Sequence, residues 1–178
     1  MMEQERSATE ISEKIRSIPD FPKKGILFRD ITPLLQDATS FSKAVDLVAD
    51  HYQIKRVDLL VSAEARGFIL GGAIAYRLGI GFVPVRKPDK LPYKVKSATY
   101  DLEYGKDTLQ IHQDALKEGN KVLIFDDLLA TGGTAKAICE LVEGLGGEIV
   151  GVCFLIELTP LKGREKLKGY KVFSLIKY

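Results

Sequence analysis

The stretch "KVLIFDDLLATGGTAKAICELV", Lys121 to Val142, constrains the fold more than any other part of the chain. Four apolar residues, Val122 to Phe125, read as a buried strand and run into two adjacent acids, Asp126 and Asp127. The pair Gly132-Gly133 follows, bracketed by Thr131 and Thr134, and then Ala135, Ile138, Leu141, Val142 and Leu145 recur at helical spacing on one face. A strand that feeds a helix through a glycine turn is half of a βαβ unit, which demands parallel strands joined by crossovers.

The rest of the chain repeats that alternation. Ser40 is placed to cap a helix whose apolar positions are Phe41, Ala44, Val45 and Val48. "VDLLVSA", Val57 to Ala63, reads as a short buried strand, Gly67 to Leu78 as an interior helix, "FVPVRK" from Phe82 as a second strand, and Ile149 to Ile156 as another. Between Ser97 and His112, polar and apolar residues alternate around Gly105, which predicts extended segments and a mobile loop instead of a buried parallel strand. The expected architecture is α/β, a central and mainly parallel sheet flanked by helices. With 178 residues and no repeat, low-complexity tract or linker, one domain spanning 1–178 is expected.

Charge and cysteine usage exclude several functions. A net charge of +2 is too small to hold nucleic acid or a membrane by bulk electrostatics, so neither partner is expected. No run approaches the roughly eighteen apolar residues that a membrane span needs, and "MMEQERSATEISEKIRSIPDFP" carries acids where a secretion signal carries an apolar segment. Cys139 and Cys153 sit in apolar contexts without metal or redox spacing, as buried reduced thiols do, which suits a cytoplasmic protein. His51 and His112 lack metal-ligand spacing and read as structural.

In open α/β sheets ligands bind beyond the carboxyl ends of the strands. Four such tips carry polar residues: Ala63 to Gly67, Arg86 to Lys90, Asp126 to Thr134, and Glu157 to Gly163. The Gly132-Gly133 turn matches neither GxxxxGK[ST] nor GxGxxG. It offers backbone N–H groups at a helix start and two hydroxyls, which suit a terminal phosphate. Carboxylates do not ligate phosphate but accept hydrogen bonds from vicinal hydroxyls, so Asp126 and Asp127 predict a ribose beside that phosphate. A bare glycine pair would read as a tight turn with the acids as helix caps; the combination favours a ribose 5-phosphate ligand. Arg66, Arg86, Lys87 and Lys90 at neighbouring tips supply the charge that a pyrophosphate would need.

"VLIFDDLLATGGTAKA" resembles the phosphoribosyl pyrophosphate (PRPP) motif of the type I phosphoribosyltransferases. "DFPKKGILFRDITPLL", "EARGF", "RKPDKLP", "YDLEYGKDTLQIHQDAL" and "ELTPLKGREKL" narrow the resemblance to the adenine phosphoribosyltransferases, over about residues 15–178. Ser62-Ala63 stand before "EARG" where that pattern has a glycine and an aliphatic residue, and Lys24 stands where a proline is common.

The resemblance implies a type I phosphoribosyltransferase-like fold, with a small N-terminal arm and hood over about residues 1–35 and a flexible catalytic loop. It implies the conversion of adenine and PRPP into AMP and pyrophosphate, in a homodimer, with Mg²⁺ bound mainly through PRPP and no dedicated protein metal ligands. Ala130, Thr131, Gly132, Gly133 and Thr134 would bind the 5-phosphate, Asp126 and Asp127 the ribose, and Arg66, Arg86, Lys87 and Lys90 the pyrophosphate. Glu103 would do the acid/base work, with Tyr104 and Lys106 closing over the ligand beside it. Leu27, Phe28, Arg29 and Leu158 would form the adenine site: Phe28 and Leu158 against the purine faces, the Leu27 backbone on its edge, Arg29 holding the hood. Two other readings stay open at this point: a phosphoribosyltransferase for another purine such as xanthine, and a non-catalytic PRPP-sensing regulatory module. The kept Glu103 and basic tips, and the lack of a DNA-binding helix pair, weigh against the module.

Overall fold

Alternation along β7 (Lys121–Leu129) organises the molecule. The computed structural model describes the backbone of residues 2–101 and 106–178 and the side chains of 7–100 and 106–178. Val122 and Ile124 point to one side and pack with Ala135, Ile138, Leu141 and Val142 of α5 (Gly133–Glu143). Leu123 and Phe125 point to the other, among residues of α3 (Ala38–Tyr52) and α4 (Arg66–Leu78). A strand buried on both faces loses the polar–apolar alternation of a half-exposed one, which is why this segment is a continuous apolar run. Each of these side chains contributes roughly 1.5–3 kcal/mol by burial. An exposed ion pair such as Arg77–Asp46 at 2.8 Å contributes about 0–1 kcal/mol, so the sheet interior decides the fold.

Five parallel strands form the central sheet in the order β4-β3-β7-β8-β9, with β3 (Leu59–Ala63), β4 (Gly81–Val85), β8 (Glu148–Glu157) and β9 (Val172–Lys177) around β7. Two antiparallel hairpins stand outside it. One pairs β1 (Arg16–Pro19) with β2 (Leu27–Asp30); the other pairs β5 (Val95–Asp101) with β6 (Lys106–His112). Helices α1 (Met2–Ser12) and α2 (Thr32–Gln36) complete the chain with short 3₁₀ turns at Thr159–Leu161 and Gly163–Leu167.

The expected parallel sheet and the extended segments on either side of residues 102–105 are present, the loop expected between those segments lies outside the described residues, and several boundaries move. Asp37, not Ser40, caps α3: its carboxylate accepts from the Ser40 N–H at 2.8 Å. Strand β7 continues past Phe125 to Leu129 and so contains the acid pair, because β8 goes on pairing with it through Leu129↔Glu157. Helix α5 stops at Glu143, which leaves Leu145 packed against the core from outside the helix. Helix α4 is not the interior helix expected, since its apolar Ile69 and Tyr76 are exposed and only one side packs on the sheet.

Candidate active site

β3 separates from β7 where the acids begin. Their pairing ends at Ser62↔Phe125, and the chain turns through Glu64 and Ala65 into α4, leaving the flank of Asp126 and Asp127 to Arg66 and Gly67. The Asp126 Oδ1 accepts from the Asp127 N–H at 3.0 Å. Arg66 Nε lies 2.8 Å from Asp127 Oδ2, an ion pair whose angle falls short of a hydrogen bond, so that buried oxygen keeps an unused acceptor site. Burial first, and then the charge of Asp127, push the Asp126 carboxyl well above the usual carboxylate range. Burial also raises Asp127, with the Arg66 guanidinium working against it.

The turn after β7 is an open row of donors. The N–H groups of Thr131 to Thr134 donate to no partner among the described residues, as the first turn of a helix dictates. A small cleft of about 60 Å³ lies over them, lined by Leu128 to Ala135 and by Asp126. Gly132 has φ +81°, and a Cβ there would sit 2.4 Å from the Gly163 carbonyl oxygen. The first glycine of the pair therefore lets two strand tips touch backbone to backbone, a use additional to approach by a ligand. Thr134 Oγ1 donates to the Tyr100 hydroxyl at 3.3 Å, which donates to Asp107 Oδ2 at 3.4 Å.

Carboxylates hold the cations of the neighbouring tips. Arg86 donates through Nε and Nη2 to Glu64 Oε2 at 3.0 and 2.8 Å, and through Nη1 to the Lys90 carbonyl at 3.1 Å. The Lys87 N–H donates to Glu64 Oε1 at 2.7 Å, while Lys87 Nζ lies 3.2 Å from Asp107. Burial opposes ionising Glu64, but the Lys87 N–H and the Arg86 guanidinium outweigh it and hold the carboxyl below its usual range. Lys87 and Lys90 are exposed.

The β1–β2 hairpin reaches the site from the α4 side. The Phe28 ring lies 5.1 Å from the Arg66 guanidinium carbon and meets Phe21 edge-on. Leu27 is half exposed. Arg29 donates to Ser17 Oγ at 2.5 Å and lies 3.6 Å from the Tyr178 ring centroid. The Tyr178 N–H donates to the Glu157 carbonyl at 2.9 Å, so Arg29 ties this hairpin to the tip of β8. Leu158 follows that tip and donates its N–H to the Leu129 carbonyl at 2.9 Å. Lys106 begins β6 and is exposed; Glu103 and Tyr104 lie outside the described residues.

Among known proteins, the phosphoribosyl transferase domain family model matches residues 32–177. The adenine phosphoribosyltransferase of Trichlorobacter lovleyi is 60% identical over 164 residues, covering 92% of this chain and 96% of that protein. The chain belongs to the adenine phosphoribosyltransferase family. The crystal structure of the family member from Thermoanaerobacter pseudethanolicus superposes with a TM-score of 0.94 at 56% identity, over 96% of this chain and 99% of that one. The Saccharomyces cerevisiae adenine phosphoribosyltransferase, complexed with adenine and an imino-altritol bisphosphate, gives 0.91 at 40% identity, over 96% and 99% of the two chains.

Several residues of this phosphoribosyltransferase site escaped the sequence reading. Glu64 and Asp107 hold Arg86 and Lys87, yet in sequence they look like ordinary acids in a turn and a hairpin. Glu157 and Arg164 form a two-pronged pair at 2.6 and 2.7 Å that fixes the turn after β8. Its signal was available: an acid ending a buried strand needs a cation nearby.

Proposed function

We propose that this protein makes AMP and pyrophosphate from adenine and PRPP, a purine-salvage transfer. The observation that carries the reading is the juxtaposition of the Asp126-Asp127 pair with the unpaired N–H row of Thr131 to Thr134, in a chain of this family. The 5-phosphate would lie on residues Ala130 to Thr134 and the ribose hydroxyls on Asp126 and Asp127. In the transfer the bond from the anomeric carbon to pyrophosphate breaks, a bond to a purine ring nitrogen forms, and that nitrogen loses its proton. An oxocarbenium-like transition state is expected, so holding the departing anion and fixing geometry dominate the acceleration.

Arg66, Arg86, Lys87 and Lys90 would receive the pyrophosphate, the first three exchanging part of their present carboxylate contacts for it. Glu103 is the proposed acid/base group toward the purine, with Tyr104 and Lys106 beside it. The hood, within the arm of about residues 1–35, would bring Phe28 and the Leu27 backbone to adenine, with Leu158 opposite. Because Pro19 has no N–H, Pro19↔Leu27 is a non-hydrogen-bonded pair of the hairpin, and the Leu27 N–H and carbonyl both point away from β1, which favours a free backbone edge there for adenine.

Mg²⁺ fits as a companion of PRPP. The site offers carboxylate and hydroxyl oxygens suited to a hard cation, and among the described residues no three His, Cys, Asp or Glu side chains gather into a cage. When bound, the ion would neutralise charge on the diphosphate; no residue of the chain is assigned to ligate it. The exposed Ile69 and Tyr76 on α4, with Gly72 between them, support a homodimer in which a second copy covers this stripe. Cys139 and Cys153 are free and buried, which favours a reducing, cytoplasmic setting. Among the described residues no helix is long and apolar enough to cross a membrane.

Following AMP formation from adenine and PRPP tests the reading, and Glu103→Gln tests its acid/base part. The variant is expected to bind PRPP normally and to turn over about 10²-fold or more slower. Near-normal turnover would remove Glu103 from the proton transfer.

A further inference from the structure

Ser62 is a fully buried side chain whose hydroxyl oxygen has no hydrogen-bond partner. A buried hydroxyl left unmade costs about 1–3 kcal/mol, so its persistence in the sheet interior needs a reason. It is the last β3 residue paired with β7, opposite Phe125 and therefore one residue short of Asp126. Its side chain lies under α4, and its Cβ is 3.2 Å from where a Cβ on Gly71 would stand. A Cβ on Gly67 would meet Ser62 Oγ at 2.5 Å and Asp126 Oδ1 at 2.8 Å, so the hydroxyl and the carboxylate oxygen border the same small space and glycine leaves it open.

We propose that Ser62 is a positioning residue for the transfer, its hydroxyl donating to the Asp126 carboxylate once that carboxylate is ionised and ready to accept the ribose hydroxyls of PRPP. The inference rests on the ribose-binding reading of Asp126. A serine suits the place because it can donate to an ionised carboxylate and accept from a protonated one. Asp126 needs such help: it is half-buried, and the charged groups facing it are Asp127 on its own strand, which opposes ionisation, and Arg66 at the start of α4, which favours it. Arg66 is already engaged with Asp127.

The test is the pH dependence of kcat/KM for PRPP in Ser62→Ala, beside Asp126→Asn and the parent. Losing a donor to the carboxylate raises the pH at which Asp126 ionises. The acid limb of the profile should therefore move up by about one pH unit in Ser62→Ala. The KM for PRPP should be about tenfold higher on that limb and unchanged above it, with kcat kept. Ser62→Gly should give the same shift and covers the case in which alanine packs poorly under Gly71. An acid limb that stays in place in both variants overturns the proposal, whatever happens to their melting temperatures. If Asp126→Asn itself leaves the KM for PRPP unchanged, the ribose reading fails, and the Ser62 proposal with it. A raised KM in Asp126→Asn with an unmoved limb in the Ser62 variants overturns the Ser62 proposal alone.

Discussion

Gly132 carries two requirements at once. Its φ of +81° disfavours any side chain, costing an L-residue roughly 1–2 kcal/mol, and the Gly163 carbonyl occupies the space where a Cβ would go. Gly132→Ala is thus expected to destabilise the protein by more than about 1 kcal/mol and to raise the KM for PRPP, because the loop must shift away from Gly163 before it can fold. Thermal unfolding together with PRPP kinetics checks this; a variant with parental stability and KM would show that the contact is unimportant. The acid pair is a similar case of local conflict. Burial and mutual repulsion raise Asp126, so the free site holds an electrostatic tension that hydroxyl donors from a sugar would relieve.

At the scale of elements, β7 and α5 were legible because strand, turn and helix each carry their own pattern. Helix α3 was legible apart from its cap, since Asp37 and Ser40 are both good caps and only the coordinates distinguish them. Strand β9 went unread: it lies at the sheet edge, and its buried positions Ser174 and Ile176 give only a short alternation. The β1–β2 hairpin was foreseen only as a hood by resemblance, because its four-residue strands have too few side chains for a period. The carboxylate partners of Arg86 and Lys87 are illegible for another reason: they lie 22 and 20 residues away from them, Glu64 after the neighbouring strand and Asp107 on the β5–β6 hairpin, and meet them only in the folded chain. Asp37 gives a prediction at this scale. The Ser40 N–H, Lys14 and the Ser40 hydroxyl hold its carboxyl at about 2, so its contribution is complete above its unfolded value near pH 4 and is lost as pH falls toward 2. Thermal melts of Asp37→Ala should lie below the parent at pH 6 and converge with it near pH 2. A constant offset across that range would assign the effect to something other than the charged cap.

For the whole molecule, sheet order turns four separated segments into one site. The order β4-β3-β7-β8 sets the tips at Arg86, Glu64, Asp126 and Glu157 side by side, and the two hairpins flank them. The exposed stripe of Ile69 and Tyr76 on α4 is the proposed dimer interface. Tyr76→Glu is expected to shift the protein from dimer to monomer in sedimentation, and an unchanged mass would place the interface elsewhere. The central claim is transfer of ribose 5-phosphate from PRPP to adenine. Its most direct test is a PRPP-dependent assay across adenine, hypoxanthine, guanine and xanthine with Mg²⁺ present. The account predicts formation of AMP with adenine and at least a hundredfold lower kcat/KM for the 6-oxopurines, which reverse the donor and acceptor edge of the base. Preference for a 6-oxopurine, or PRPP binding without turnover of any base, would contradict it.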